Sequence, residues 1–186
     1  MVSRKVVFDM SLILHRHLFI IGMPGAGKTY FSNKLAETYS FNHRDQDVEI
    51  ELYAKRSIQS IWDTQGEAGF RTLERFLLLK LMLDTPSIIS TGGGCPAFFD
   101  NLGLMNRFGV TVFLDRPLEW LVEKNLEMNK PVIKSGIPLD QQIISLQHSR
   151  EYYYKQANVH LKSDDHEHNW IRTVTQYCQI HNIIGG

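Results

Sequence analysis

Cysteine is scarce in this chain: Cys95 and Cys178 are the two in 186 residues. They stand far apart, which excludes a disulfide framework and the paired spacing of a zinc site. A reducing, cytoplasmic setting follows as the expectation. An excess of charge of either sign is also missing, since 20 Lys and Arg face 20 Asp and Glu. Nothing in that balance calls for nucleic acid or an anionic membrane surface as a partner. No apolar run approaches the roughly 20 residues of a membrane span. The start carries Arg4 and Lys5, but Asp9, His15, Arg16 and His17 interrupt the apolar stretch that a secretory signal needs. Repeats and low-complexity blocks are absent too.

What remains is an ordinary globular composition, 43% hydrophobic and 22% charged, in a length that suits one domain. Residues 1–16 read as an N-terminal extension of that domain. Leu18 to Ile21 is a short apolar run ending in Gly22, the pattern of a buried strand. Further strands are expected at Phe41–Asp45, Ser87–Ser90, Val110–Leu114 and Asn158–Leu161. Helices are expected at Thr29–Tyr39, Val48–Ala54, Ile58–Asp63, Glu67–Leu83, Leu118–Leu126, Asp140–Ala157 and Trp170–Ile180. Phe70, Leu73, Phe76, Leu77 and Leu81 form one helical stripe, and Trp170, Tyr177 and Ile180 another. Pro131, Gly136 and Pro138 make the 126–139 stretch a loop. Strands alternating with helices predict an α/β fold with a parallel sheet and helices on both faces.

The run Gly22-Met23-Pro24-Gly25-Ala26-Gly27-Lys28-Thr29 matches G-x-x-x-x-G-K-[ST] between a predicted strand and a predicted helix. Such a loop turns successive backbone N–H groups toward an anion, and the helix behind it adds its positive end. Lys28 can reach the outer phosphates of a nucleotide. The Thr29 hydroxyl is a hard oxygen suited to Mg²⁺. A phosphate cradle of this kind serves kinases, GTPases and motors alike, and the short chain favours a small-molecule kinase.

Several other residues bear on the phosphate acceptor. Asp45 could hold Mg²⁺ through water, and Asp47 could receive the proton of a substrate hydroxyl; either could equally cap the helix that follows. Arg71 suits an anionic substrate but would be unremarked on a surface. Gly92-Gly93-Gly94 after a strand permits close approach of a ligand, or merely a tight turn. Lys130-Pro131 in the 126–139 loop could carry one cation over the phosphates on a mobile lid. Arg150, followed by Tyr152, Tyr153 and Tyr154, is a second anion clamp or a packed structural arginine. Asp164-Asp165-His166-Glu167-His168 has the composition of a metal cluster, but its place before an apolar helix better suits a solvated N-terminus.

Taken in order, these residues resemble shikimate kinase. The resemblance runs from Gly22–Thr29 through Asp45-Gln46-Asp47-Val48-Glu49-Ile50-Glu51, Gly66–Arg71 with Glu74, Gly92–Gly94 and Lys130-Pro131 to Arg150 with Tyr154. It implies a three-layer P-loop NTPase fold, NMP-kinase-like, with a five-stranded parallel sheet and a mobile lid. The activity it implies is transfer of the γ-phosphate of ATP to the 3-hydroxyl of shikimate, with Mg²⁺, on the route to chorismate and aromatic amino acids. Gly25, Ala26, Gly27, Lys28, Thr29 and Tyr30 would hold ATP, and Thr29 and Asp45 would serve Mg²⁺. Asp47, Trp62, Phe70, Arg71, Gly92, Gly93, Gly94 and Arg150 would bind shikimate. Lys28, Asp47, Lys130 and Arg150 would be catalytic. Lys130 stands where the family usually has arginine, and no arginine stands in Val122-Glu123-Lys124 for the adenine. The expected partner is the small molecule alone, bound by a monomer. Rival readings are another small kinase, such as gluconate kinase, and a weakly active nucleotide-binding regulatory domain.

Overall fold

The computed structural model describes residues 12–126, 133, 136–162 and 167–185. Its first strand, β1 (Ile13–Leu14), is short, and β2 (His17–Ile21) follows at once. All five residues of β2 are buried, as expected of a strand with both faces covered. Then come β3 (His43–Asp45), β4 (Ile88–Ser90), β5 (Gly109–Asp115) and β6 (Val159–Lys162). These make a five-stranded sheet in the order β3-β4-β2-β5-β6, with every pairing parallel. All five strands therefore end on the same edge. That edge is where a parallel sheet places its ligands.

The helices are α1 (Lys28–Tyr39), α2 (Gln46–Ala54), α3 (Ile58–Leu83), α4 (Asn101–Phe108), α5 (Leu118–Leu126), α6 (Leu139–Tyr154) and α7 (Glu167–Ile180). Phe31, Leu35 and Ala36 form the buried face of α1, as their spacing requires. The two helices expected at Ile58–Asp63 and Glu67–Leu83 run on as α3 but are broken at Gly66, whose φ of 67° no helix allows. Ser57 caps the first part, its hydroxyl accepting from Ser60 N–H at 3.2 Å.

Two stripes differ from the sequence reading. Phe76 leaves the α3 core and is 48% exposed, its ring 5.4 Å from that of Tyr53, while Leu78 takes the buried place. On α7 the buried residues are Trp170, Val174 and Cys178, an i, i+4, i+8 line, and Ile180 is 77% exposed. Ile180 lies about 200° around the helix from Cys178, on the opposite face. Two features are not marked in the sequence pattern: α4, and the pairing of β1 with β7 (Ile184–Gly185) in a two-stranded antiparallel sheet. That pairing draws part of the 1–16 segment into the structure: Leu14 is buried and His15 N–H donates to Ile183 C=O at 2.8 Å.

Where α4 meets β5, a Cβ on Gly109 would run into the His17 carbonyl oxygen and lie 2.7 Å from the Phe19 ring. On the exposed face of α4, a Cβ on Gly103 meets nothing within 4 Å. Gly109→Ala is expected to lower the unfolding free energy by ~2 kcal/mol or more. Gly103→Ala is expected to raise it by ~0.5–1 kcal/mol. Urea titration of the two variants checks both signs.

Candidate active site

The loop after β2 runs from Gly22 into the start of α1. Gly25 and Gly27 adopt φ of 79° and 88°, and Gly27 begins α1 in the left-handed region. The Lys28 ammonium donates to the carbonyls of Gly22 at 3.1 Å and Met23 at 2.9 Å. Thr29, one residue on, donates its hydroxyl to Asp45 Oδ2 at 2.6 Å. Ser90, at the end of β4, donates to the same oxygen at 2.9 Å. Asp45 Oδ1 accepts from the N–H groups of Asp47 and Val48 and so caps α2. Capping and closeness to Thr29 thus coexist in one carboxylate. A threonine hydroxyl beside a carboxylate at a helix N-terminus is a donor set that fits Mg²⁺.

The second part of the site is built around Arg71, which is only 5% exposed. Its Nη1 donates to Glu74 Oε2 at 2.8 Å, and its Nε and Nη2 donate to Glu67 Oε1 at 3.3 and 3.1 Å. The guanidinium carbon lies 4.2 Å from the Phe98 ring centroid, 5.0 Å from Phe70 and 5.7 Å from Trp62. It is thus a buried cation, not the surface arginine the isolated sequence also allowed. Glu74 is wholly buried, and burial pushes its carboxyl up to about 7 against the opposing pull of Arg71. Its Oε1 has no hydrogen-bond partner among the described residues.

The triple glycine is explained by these neighbours. A Cβ on Gly92 would meet Glu74 Oε1 at 2.6 Å, one on Gly93 would meet Pro24 at 2.8 Å, and one on Gly94 would meet the Arg71 guanidinium at 2.5 Å. Gln46, fully buried, locks the same region: its amide donates to the Glu74 carbonyl at 3.0 Å and accepts from Gly92 N–H at 3.2 Å. From α6, Tyr154 donates to the Gly93 carbonyl. Burial holds that phenol up to about 12, so it remains a donor. Arg150 lies one turn before it, 4% exposed, with Nη1 buried and without a hydrogen-bond partner among the described residues.

One cavity of about 600 Å³ joins the two parts. It is lined by Gly25, Gly27, Lys28, Thr29 and Tyr30 on the cradle side, and by Asp47, Trp62, Phe70, Arg71, Gly92, Gly93, Gly94 and Arg150 on the other. Ala26 is buried behind this wall, and Asp45 reaches it through Thr29. Lys130 and Pro131 lie outside the described residues, as do Asp164, Asp165 and His166 of the acidic cluster. No group of three or more metal-ligating side chains occurs among the described residues. No described helix is long and apolar enough to cross a membrane. Sequence reasoning assigned no role to Glu74 or Gln46. A carboxylate three residues after Arg71, on the same helix face, was the available signal for Glu74.

A family model described as shikimate kinase matches residues 24–180. The chain belongs to the shikimate kinase family. The shikimate kinase of Azobacteroides pseudotrichonymphae genomovar. CFP2 is 37% identical over 149 residues, 77% of this chain and 88% of that protein. That of Bacteroides thetaiotaomicron is 34% identical over 157 residues, 82% of this chain and 90% of its own. Among solved structures, shikimate kinase from Acinetobacter baumannii in complex with shikimate matches with a TM-score of 0.83 at 25% identity, over 89% of this chain and 94% of that one. A shikimate kinase structure from Bacteroides thetaiotaomicron matches with a TM-score of 0.78 at 31% identity, over 92% of this chain and 99% of that one. The expected fold of a shikimate kinase, five parallel strands flanked by helices, is the fold observed.

Glu74 gives this family member a pH signature. Its ordinary value is 4.5 and its folded value about 7. Between those values the unfolded chain ionises the carboxyl while the folded chain keeps the proton, so stability falls as pH rises through the window, by up to about 3 kcal/mol. Glu74→Gln does not titrate there. The unfolding free energy of the parent minus that of Glu74→Gln is therefore expected to decline from pH 5 to pH 8. A difference that stays flat across that range contradicts the assignment.

Proposed function

We propose that this enzyme transfers the γ-phosphate of ATP to the 3-hydroxyl of shikimate, giving shikimate 3-phosphate and ADP on the route to chorismate and aromatic amino acids. The observation that carries the reading is the pair of buried guanidinium groups, Arg71 and Arg150, facing the phosphate cradle across one cavity. Arg150 brings to that cavity a buried N–H without a partner among the described residues, which a substrate carboxylate satisfies.

In this reading Arg71 and Arg150 clamp the carboxylate, and Trp62 and Phe70 wall the ring of the substrate. The Gly92–Gly94 turn approaches the ring closely. Asp47 accepts hydrogen bonds from the substrate hydroxyls and takes the proton as the oxygen attacks the γ-phosphorus; positioning matters more here than basicity. Lys28 exchanges its contacts with the Gly22 and Met23 carbonyls for the phosphate oxygens. Thr29, with Asp45 through water, would hold Mg²⁺, which supplies charge neutralisation at the phosphates. From the sequence, Lys130 adds the second cation over the transferring group. The enzyme acts as a monomer in a reducing cytoplasm. Burial of both free thiols there suits the setting, with Cys178 pushed up to about 12 and Cys95 also raised.

A coupled assay of ADP release tests the acceptor. Shikimate is expected to support turnover, and gluconate and nucleoside monophosphates are not. Release with gluconate but not shikimate would overturn the proposal, and ATP binding without turnover on any acceptor would favour a regulatory domain. Arg71→Ala is expected to raise the KM for shikimate by about 10-fold or more, the scale of a lost charge-assisted pair. The KM for ATP is expected to change far less. An equal rise in both would argue against the clamp.

A further inference from the structure

The outer side of the phosphate cradle carries a feature that the reaction as described does not use. Three consecutive carbonyls of the loop accept hydrogen bonds from side chains at the end of β5 and on α5. Asn125 Nδ2 donates to Pro24 C=O at 2.9 Å. Trp120 Nε1 donates to Gly25 C=O at 3.2 Å. Arg116 Nε donates to Ala26 C=O at 3.3 Å. None of these three side chains lines the 600 Å³ cavity. They touch the loop from behind.

The arrangement is itself held in place. The Arg116 guanidinium lies between two indoles, 4.4 Å from the Trp120 ring centroid and 4.2 Å from that of Trp170. Trp170 belongs to α7, is 1% exposed, and is fixed by its own N–H to the Lys162 carbonyl at 2.9 Å and by the edge of Phe31 at 5.8 Å. Asn125 is 2% exposed and also donates to Leu121 C=O at 2.8 Å. It sits so close that a Cβ on Gly25 would meet its Nδ2 at 2.5 Å.

In a planar trans peptide the C=O and the following N–H point opposite ways. Pinning the carbonyls of residues 24, 25 and 26 therefore fixes the N–H groups of Gly25, Ala26 and Gly27. The Ala26 N–H closes a turn on Met23 C=O at 3.1 Å, which adds a constraint from inside the loop. A peptide that rotated would turn a carbonyl dipole toward the phosphates and repel them. We propose that Arg116, Trp120 and Asn125 are positioning residues that hold the cradle's peptide planes ready for the nucleotide phosphates, with Trp170 bracing Arg116 from α7. The inference rests on the cradle being the ATP site.

Trp120→Phe tests it, because a smaller aromatic ring remains for the Arg116 stack while the N–H donor is lost. Calorimetric Kd values for ATP and for shikimate are measured on the parent and the variant, with thermal melting as the check of folding. The expected result is ATP binding about fivefold weaker, the scale of one net hydrogen bond, with the shikimate Kd within about twofold of the parent. Arg116→Lys keeps the charge but loses the planar donor and the double stack. It is read in the same way and stands in if Trp120→Phe does not fold. An ATP Kd within twofold of the parent in a folded variant, or equal weakening of both ligands, overturns the positioning role. A parent that binds no ATP would instead overturn the nucleotide assignment beneath it.

Discussion

A guanidinium removed from water must be matched on every side, and Arg71 sets the geometry of its surroundings for that reason. It donates hydrogen bonds to Glu74 and Glu67, and its faces are covered by Phe98 and Phe70. Glu74 then occupies the space above Gly92, and Arg71 the space above Gly94, so neither position admits a side chain. Gln46 joins the start of α2 to α3 and to the turn after β4 through two hydrogen bonds. Arg71 and Gln46 together thus hold three segments that are remote in sequence. The arrangement also leaves the polar atoms of Arg150 and Glu74 for a ligand to complete.

The phosphate side depends on a different constraint, the direction of backbone dipoles. The parallel sheet delivers the ends of β2, β3 and β4 to one edge, which places the cradle, Asp45 with Asp47, and the triple glycine around a common space. Asp45 stands at the junction. It caps α2 with one oxygen and accepts from Thr29 and Ser90 with the other. The two halves share Pro24 and Gly93 as a wall, since those residues touch. An anionic polyol and a nucleotide bound in this cleft would meet end to end, the arrangement that phosphoryl transfer requires.

The cradle was legible because its chemistry is contiguous: eight residues carry the turn, the lysine and the hydroxyl, and the apolar β2 precedes them. The sheet was legible for a similar reason, since β2 and β5 carry the apolar runs Leu18–Ile21 and Val112–Leu114. Arg71 and Arg150 could be named but not placed, because burial is decided by partners such as Phe98 that lie far along the chain. The donors behind the cradle were invisible for the same reason: Trp120 and Asn125 reach carbonyls 95 and 101 residues earlier. The short helix α4 and the β1–β7 pairing carry weak local patterns and depend on tertiary packing. Phe76 and Ile180 show that helical spacing alone includes residues that the packing of the helix leaves outside the core.

The central claim is that a substrate carboxylate completes the buried arginine pair. Calorimetric titration of the protein with shikimate and with its methyl ester tests this most directly, because the ester keeps the ring and hydroxyls and replaces the anionic carboxylate by a neutral group. The account predicts that the ester binds at least about 10-fold more weakly, the scale of a lost charge-assisted pair. Equal affinity for acid and ester would contradict it.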